Sequence, residues 1–321
     1  MIIVTGSNGF IGSNLITQLN DIGENEIIAV DDHSNADLKN NIAHCKISES
    51  LGINDFIKKI KSGSLDGMNI KAIFHQGACS NTMEWDANFL LENNYAYSKT
   101  LLNFSETNKI PFIYASSAAV YGSGIEFKEL KENEGPINLY GYSKYLFDQL
   151  VRTRIKSTTS QIVGMRYFNV YGPNEQHKGT MASVAYHLNK QLQDDDVVRL
   201  FEGSGGYDDG EQRRDFIYID DIVKVNLWFL RNPNISGIFN VGTGKSQTFN
   251  EVAEAVIDWN KKGSIKYIPF PKKLEDSYQS FTEADIASLR EAGYKEEFLN
   301  VSDGVKKYLT ALSGWPKNDQ Q

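Results

Sequence analysis

Cysteine is scarce in this sequence: two residues in 321, Cys45 and Cys79, with no CxxC pair and no Cys/His cluster. That excludes a disulfide framework and a zinc site of ordinary spacing, and it fits a reducing compartment. Both thiols are expected to be small buried hydrophobes, and no metal site is expected. Positive charge is also in deficit. Thirty-three Lys and Arg stand against 41 Asp and Glu, a net charge of −8, which speaks against a nucleic-acid partner. It does not speak against a nucleotide, because a few local cations hold a phosphate. No stretch approaches the ~18 uninterrupted apolar residues of a membrane helix. The opening Met1-Ile2-Ile3-Val4 is too short for a signal peptide and has no basic segment before it. A cytoplasmic protein without a membrane partner is expected. Repeats and low-complexity tracts are absent as well.

What the chain does have is alternation. Short apolar runs at residues 2–4, 27–30, 72–74, 111–115 and 161–166 read as strands. Helical patterns at about 10–19, 56–60, 89–108 and 142–156 separate them. Strands alternating with helices predict βαβ units and a parallel sheet covered on both faces, which is why the strands are almost wholly apolar. The pattern loosens after Tyr171-Gly172-Pro173, so a first domain is expected over 1–168. A smaller α/β domain is expected over 169–321, with the segment 216–243 returning to the first. Residues 204–212 (SGGYDDGEQ) are glycine-rich and acidic and read as a mobile surface loop.

Three motifs carry chemistry. Gly6, Gly9 and Gly12 form GxxGxxG between the first strand and the first helix. Glycine permits the tight turn and a close approach of backbone to pyrophosphate, and the helix N-terminus offers N–H groups and a positive dipole end. Asp31 ends the next strand, where a carboxylate accepts from ribose hydroxyls. These features predict a Rossmann-like, doubly wound parallel sheet binding a dinucleotide. An acid at Asp31 favours NAD, whereas Lys39 lies close enough in sequence to offset it. Second, Tyr140 and Lys144 share a helix face at i, i+4. A nearby ammonium is expected to lower the phenol pKa and make Tyr140 an acid/base near neutral pH. Third, Ser116-Ser117-Ala118-Ala119-Val120-Tyr121-Gly122 follows a strand, where ligands of open α/β sheets bind, and a serine hydroxyl there reaches a reacting oxygen.

In order along the chain, GxxGxxG, Gly77-Ala78, SSAAVYG, YGYSK and RYFNVYGP resemble the extended short-chain dehydrogenases/reductases. Within them the chain resembles, over nearly its whole length, the ADP-L-glycero-D-manno-heptose 6-epimerase family. The stretches that carry this narrower likeness are HQGACSNTMEWD and NEQHKGTMASVAYHLN. The resemblance implies an isomerase that oxidises an ADP-heptose at C6 and returns the hydride to the opposite face, serving lipopolysaccharide inner-core synthesis. It implies an active site in a cleft between the domains, and a homo-oligomer, with a homopentamer as the expected size. Tyr140 and Lys178 become the two acid/base residues, with Ser117 assisting and Lys144 supporting Tyr140. The implied cofactor is NADP, with NAD as the alternative, held by Phe10, Ile11, Asp31, Asp32 and Lys39. Further contacts come from Gln76, Gly77, Ala78, Cys79, Ser80 and Asn93, and from Tyr140, Lys144, Val170 and Lys178. Implied substrate contacts are Asn169, Thr180 or Met181, and His187. Others are Phe201, Glu202, Gly203, Ser204, Tyr278 and a diphosphate-clamping Arg214, with Arg213 as the alternative. Asp32 and Ile53 depart from the asparagine and lysine that the family would place there.

Other readings stay open. A 4-epimerase of the same superfamily would turn over UDP-glucose or UDP-galactose. A dehydratase of that superfamily would carry Asp-Glu where Ala118-Ala119 stands. A non-catalytic redox sensor would have no need of an intact Ser117, Tyr140 and Lys144.

Overall fold

The computed structural model describes residues 1–34, 37–271 and 279–314, and these fall into two compact units. The first comprises Met1–Tyr167, Ile222–Val241 and Asp285–Lys295. Its centre is a seven-stranded sheet. In chain order the first six strands are β1 (Ile2–Thr5), β2 (Ile27–Asp31), β3 (Glu49–Gly52), β4 (Ala72–His75), β5 (Phe112–Ser117) and β6 (Ile162–Tyr167). The spatial order is Gly237–Val241, β6, β5, β4, β1, β2, β3, with every neighbouring pair parallel. At the centre, Ile2 pairs with both Ile27 and Ala72, and Thr5 with Val30 and His75. All four residues of β1 are buried, as a strand covered on both faces requires. The core on one face runs through Ile3, Ile28, Ile73, Phe112, Tyr114 and Phe147.

Three features depart from the sequence expectations. The edge strand β3 has the sequence ESLG and buries only Leu51, too little apolar content to read as a strand. The long helix after β4 is interrupted: Ala87–Leu90 is α-helical, Leu91–Ala96 is a π turn, and Tyr97–Asn108 resumes the α-helix. The return to the first unit spans 222–241 and is joined by 285–295, which packs on Gly237–Val241: Asn240 Nδ2 donates to Asp285 O at 3.0 Å, and Trp228 meets Tyr294 edge-on. Such non-local packing leaves no local signal. Both cysteines are half-buried and free.

The second unit comprises Phe168–Asp221, Gly242–Ala284 and the segment from Glu296. Its strands pair as Asn169–Tyr171 with Phe216–Tyr218 and Val197–Phe201 with Ser264–Ile268, both parallel, and as Arg213–Arg214 with Gln247–Thr248, antiparallel. The helices Val184–Asp194, Phe249–Asn260 and Val301–Ser313 pack on them. Asp215 ties the unit together. Its buried carboxylate accepts from the N–H groups of Thr243, Gly244 and Ala284 at 2.7, 2.9 and 3.0 Å and from the Thr243 hydroxyl at 2.8 Å.

The glycine turn of the first unit has no room for a Cβ at Gly6 or Gly12. A Cβ on Gly12 would lie 2.0 Å from Gly6 O, and one on Gly6, at φ +65°, would lie 2.6 Å from Gly77. Gly12→Ala is therefore expected to lower the stability of the folded chain by about 2 kcal/mol or more, read as a lower urea midpoint. An unchanged midpoint would mean that the turn opens without cost.

Candidate active site

In the first unit, β1 runs through Thr5 into the glycine turn, closed by Gly9 N–H to Gly6 O at 3.1 Å. Gly9 is extended, with φ −73° and ψ −178°, and no side chain caps the helix Phe10–Asp21 that follows. The first intrahelical bond is Ser13 N–H to Gly9 O, so the leading N–H groups and the positive dipole end face out of the turn. This cradle fits a pyrophosphate. Phe10 is buried and Ile11 half-buried.

Asp31 joins the end of β2 to the glycine turn. Its two oxygens accept from Asn8 N–H at 2.6 Å and Asp32 N–H at 2.7 Å. Burial pushes its carboxyl above the ordinary value, with those backbone donors opposing. Asp32 is exposed and is held below the usual carboxylate range by the Ser34 hydroxyl and N–H. Lys39 is exposed in the 3-10 turn Asp37–Ile42.

The turn after β4 lies against the first. Gly77 N–H donates to Thr5 Oγ1 at 3.2 Å, and Gln76 bonds Tyr167 and Asn226. Cys79 is clamped at its backbone by one amide: Asn94 Oδ1 accepts its N–H at 2.8 Å and Asn94 Nδ2 donates to its carbonyl at 3.0 Å. Asn94 Nδ2 also reaches Ser143 Oγ at 3.0 Å, which donates to Tyr140 O at 2.7 Å. Ala78 is half-buried and Ser80 exposed. Asn93 is half-buried and donates to Phe89 O. Asn94 was not singled out from the sequence; the π turn, which no local pattern announced, is what places it inside. His75 is fully enclosed. Ser98 Oγ donates to Asn94 O at 2.6 Å, so it accepts from His75 Nε2 at 2.7 Å. His75 Nδ1 then accepts from the Thr5 hydroxyl at 2.7 Å. Burial pushes this imidazole down to about 3, with the Lys144 charge adding to the effect.

Tyr140 sits in the first turn of the helix Leu139–Arg154, which Asn138 caps by accepting from Gly141 N–H at 2.7 Å. A Cβ on Gly141 would lie 2.7 Å from Ala119 O, so this turn seats closely against the segment after β5. The Ser117 hydroxyl faces the Tyr140 phenol and favours its ionised form, and its oxygen accepts from Ala119 N–H at 3.1 Å. Lys144 Nζ donates to Ala115 O at 2.9 Å. The expected lowering of Tyr140 is not found. Burial pushes its phenol above the ordinary value, and the Ser117 hydroxyl only partly opposes that. The same burial pushes Lys144 down to about 8, with the Asp148 carboxylate opposing. Desolvation outweighs the ammonium, which turns to a backbone carbonyl. One further turn along the helix, buried Asp148 accepts from Tyr114 (2.8 Å), Ser116 (3.0 Å) and Arg166 Nε (2.9 Å). The adjacent serines therefore divide: Ser116 serves the core and Ser117 the phenol.

In the second unit, Lys178 lies half-buried in the 3-10 turn Gln176–Met181, which kinks at Gly179 with φ +54°. Burial pushes its ammonium below the ordinary value and the Glu175 carboxylate opposes this. Thr180 is exposed; Met181 and His187 are half-buried. Asn169 is exposed, with Oδ1 accepting from Thr282 at 3.3 Å, and Val170 is half-buried. Arg213 is tied to Ser246 through its guanidinium at 2.7 and 3.1 Å. Arg214 is buried over the Phe249 ring, 5.7 Å from its centroid, and donates to Arg213 O. Phe201 and Ser204 are half-buried, and Glu202 and Gly203 exposed. The loop at 204–212 carries bonds of its own: Gly203 N–H to Asp209, Gly210 N–H to Phe201 O, and Gln212 to Glu202 O and Ser204. Tyr278 lies outside the described residues. Among the described residues no group of His, Cys, Asp and Glu could hold a metal ion, and no helix is long and apolar enough to cross a membrane.

A sequence-family model, the NAD dependent epimerase/dehydratase family, matches residues 2–242. The chain is 50% identical to an ADP-L-glycero-D-manno-heptose-6-epimerase of Alkalilimnicola ehrlichii, covering 98% of both chains. It is likewise 50% identical to one of Thiobacillus denitrificans, covering 97% of this chain and 98% of the other. The solved ADP-L-glycero-D-manno-heptose-6-epimerase of Helicobacter pylori superposes with a TM-score of 0.82 at 28% identity, covering 98% of this chain and 96% of that one.

His75 generates a pH test. Its pKa is about 3 in the fold against an ordinary 6.5. The unfolded chain therefore binds the extra proton between those values. The stabilisation is complete above 6.5 and is lost as pH falls, at about 1.4 kcal/mol per unit. Urea unfolding between pH 6.5 and 5 should show this slope in the native chain, and it should shrink by that amount in His75→Gln. Equal slopes would place the imidazole in water.

Proposed function

Since the chain belongs to the NAD dependent epimerase/dehydratase family, we propose that it is an ADP-glycero-manno-heptose 6-epimerase. Its reaction inverts C6 of ADP-D-glycero-D-manno-heptose and supplies the heptose of a lipopolysaccharide inner core. The observation that carries this reading is 50% identity sustained over 98% of both chains to an enzyme of that name. A bound nicotinamide supplies reversible hydride acceptance, so that the carbon is oxidised and reduced again without net redox change. The glycine turn and the helix N-terminus at Phe10 would hold the pyrophosphate, and Cys79 faces the phenol.

Inversion calls for two proton carriers, one for each configuration. We assign Tyr140 to one. Buried and with its pKa raised, it enters as a neutral phenol, and Ser117 orients it. Lys178 is the other, because a lysine acts as a base only when burial weakens its hold on the proton. Arg214 is the diphosphate clamp in this reading, because a guanidinium pairs two phosphate oxygens at once. NADP is the cofactor in this reading: the oxygens of Asp31 are taken up by Asn8 N–H of the glycine turn and by Asp32 N–H, and Lys39 is exposed in the turn Asp37–Ile42 to meet a 2′-phosphate. The protein acts in the cytoplasm as a homopentamer.

Proton NMR of ADP-D-glycero-D-manno-heptose incubated with the protein should show inversion at C6, while UDP-galactose is left unchanged. Turnover of UDP-galactose alone would make the protein a 4-epimerase. Tyr140→Phe and Lys178→Met should each lose about a hundredfold or more in kcat while keeping fold and bound nucleotide. Wild-type rates in either would remove that residue from the mechanism. Equilibrium titration should show tighter binding of NADP than of NAD, with the preference reduced in Lys39→Ala.

A further inference from the structure

Glu175 was not among the residues the sequence pointed to, yet it is one of the most enclosed acids in the second unit, with no exposure to solvent. Its carboxylate accepts three hydrogen bonds from the two ends of one short stretch. Gly172 N–H donates to Oε1 at 3.3 Å, the Ser183 hydroxyl to Oε1 at 2.6 Å, and Ser183 N–H to Oε2 at 2.6 Å. The Tyr308 hydroxyl approaches the same carboxylate from the helix Val301–Ser313. Between Gly172 and Ser183 lies the kinked turn Gln176–Met181, and its Lys178 N–H donates to the backbone oxygen of Glu175 at 3.0 Å. Ser183 is also the cap of the helix Val184–Asp194, accepting from Tyr186 N–H at 3.3 Å.

We propose that Glu175 is the positioning residue for Lys178: one buried carboxylate closes the loop that carries the lysine and supplies the negative charge that acts on its ammonium. The reaction role of Lys178 rests on the epimerase reading above; the loop closure and the charge do not. The loop that carries Lys178 kinks at Gly179. Pinning both its ends to the same two oxygens removes most of the freedom that a flexible lysine would otherwise keep. Charge-assisted bonds from N–H and O–H to a buried carboxylate are about twice as strong as neutral ones. The charge also opposes the loss of the proton that burial of Lys178 favours. Among the described residues, His177 on the same turn and Tyr308 from the C-terminal helix also face this pair; Tyr186 and Tyr218 face Tyr308 in turn. The Glu175 carboxylate acts on Lys178, and its removal should displace the lysine's titration toward acid.

Two measurements on the full-length protein decide this without substrate. The first follows acetylation of Lys178 by acetic anhydride from pH 6 to 10, read by peptide mass spectrometry. In Glu175→Gln the midpoint should move at least one pH unit lower, and in Glu175→Asp it should stay close to wild type. A folded Glu175→Gln protein with an unmoved midpoint overturns the charge role. The second is hydrogen exchange of the segment 176–183 in Glu175→Asp and Ser183→Ala, which keep the charge and shorten or remove the clamp. Exchange there should quicken tenfold or more. Unchanged protection overturns the loop closure, even if Glu175→Gln does not fold. Where the wild type inverts ADP-heptose, the pH limb of kcat that reports Lys178 should shift with the acetylation midpoint. A wild type without that turnover sinks the epimerase reading and leaves both measurements standing.

Discussion

Polar groups of the first unit have only the strand ends through which to leave the sheet. The central strands β1, β4 and β6, buried throughout, leave no wet surface between their termini. The segments that follow β1, β4 and β5 therefore converge, and each is shaped by what its neighbour leaves. At Gly6 the turn after β1 has no room for a Cβ because the turn after β4 fills the space. The segment after β5 receives the start of the helix Leu139–Arg154 at Gly141 for the same reason. Tyr140, Ser117 and Lys144 stand where they do as a consequence of that crowding.

Buried charge does comparable work deeper in each unit. In the first, Asp148 and Glu134 meet Arg166 and Arg152 beneath the helix that carries Tyr140. Asp148 also keeps Lys144 from losing its proton more readily still. In the second, Asp215 gathers two separated stretches of backbone, at 243–244 and 284, and Glu175 gathers the two ends of a single loop. Removing one partner of such a buried set costs far more than the set contributes as a whole, because it strands the others without water. These acids are thus constraints on geometry first.

Much of this was legible in the sequence, and for identifiable reasons. The sheet could be read because its strands are apolar on both faces, and the glycine turn because its spacing falls between a strand and a helix. Tyr140 and Lys144 could be read from their i, i+4 spacing. What stayed hidden was non-local. β3 has a single buried residue, so it looked like loop. The segment 285–295 belongs to the first unit only through contacts with residues far away in the chain. Glu175 looked like any surface acid until Ser183 was seen to fold back onto it. The direction of the Tyr140 shift went against expectation because spacing reports neighbours and says nothing of how much water a fold removes.

The π turn at Leu91–Ala96 can be restated as bookkeeping of register. It holds one residue more than the helix on either side of it needs, a single-residue insertion absorbed without breaking the rod. Its effect is rotational: each added residue turns everything beyond it by about 100° around the axis. Of two consecutive asparagines, that offset selects which one faces inward to grip the Cys79 backbone and which one stays on the outer side. The choice between Asn93 and Asn94 is thus written in the phase of the helix rather than in the chemistry of either side chain.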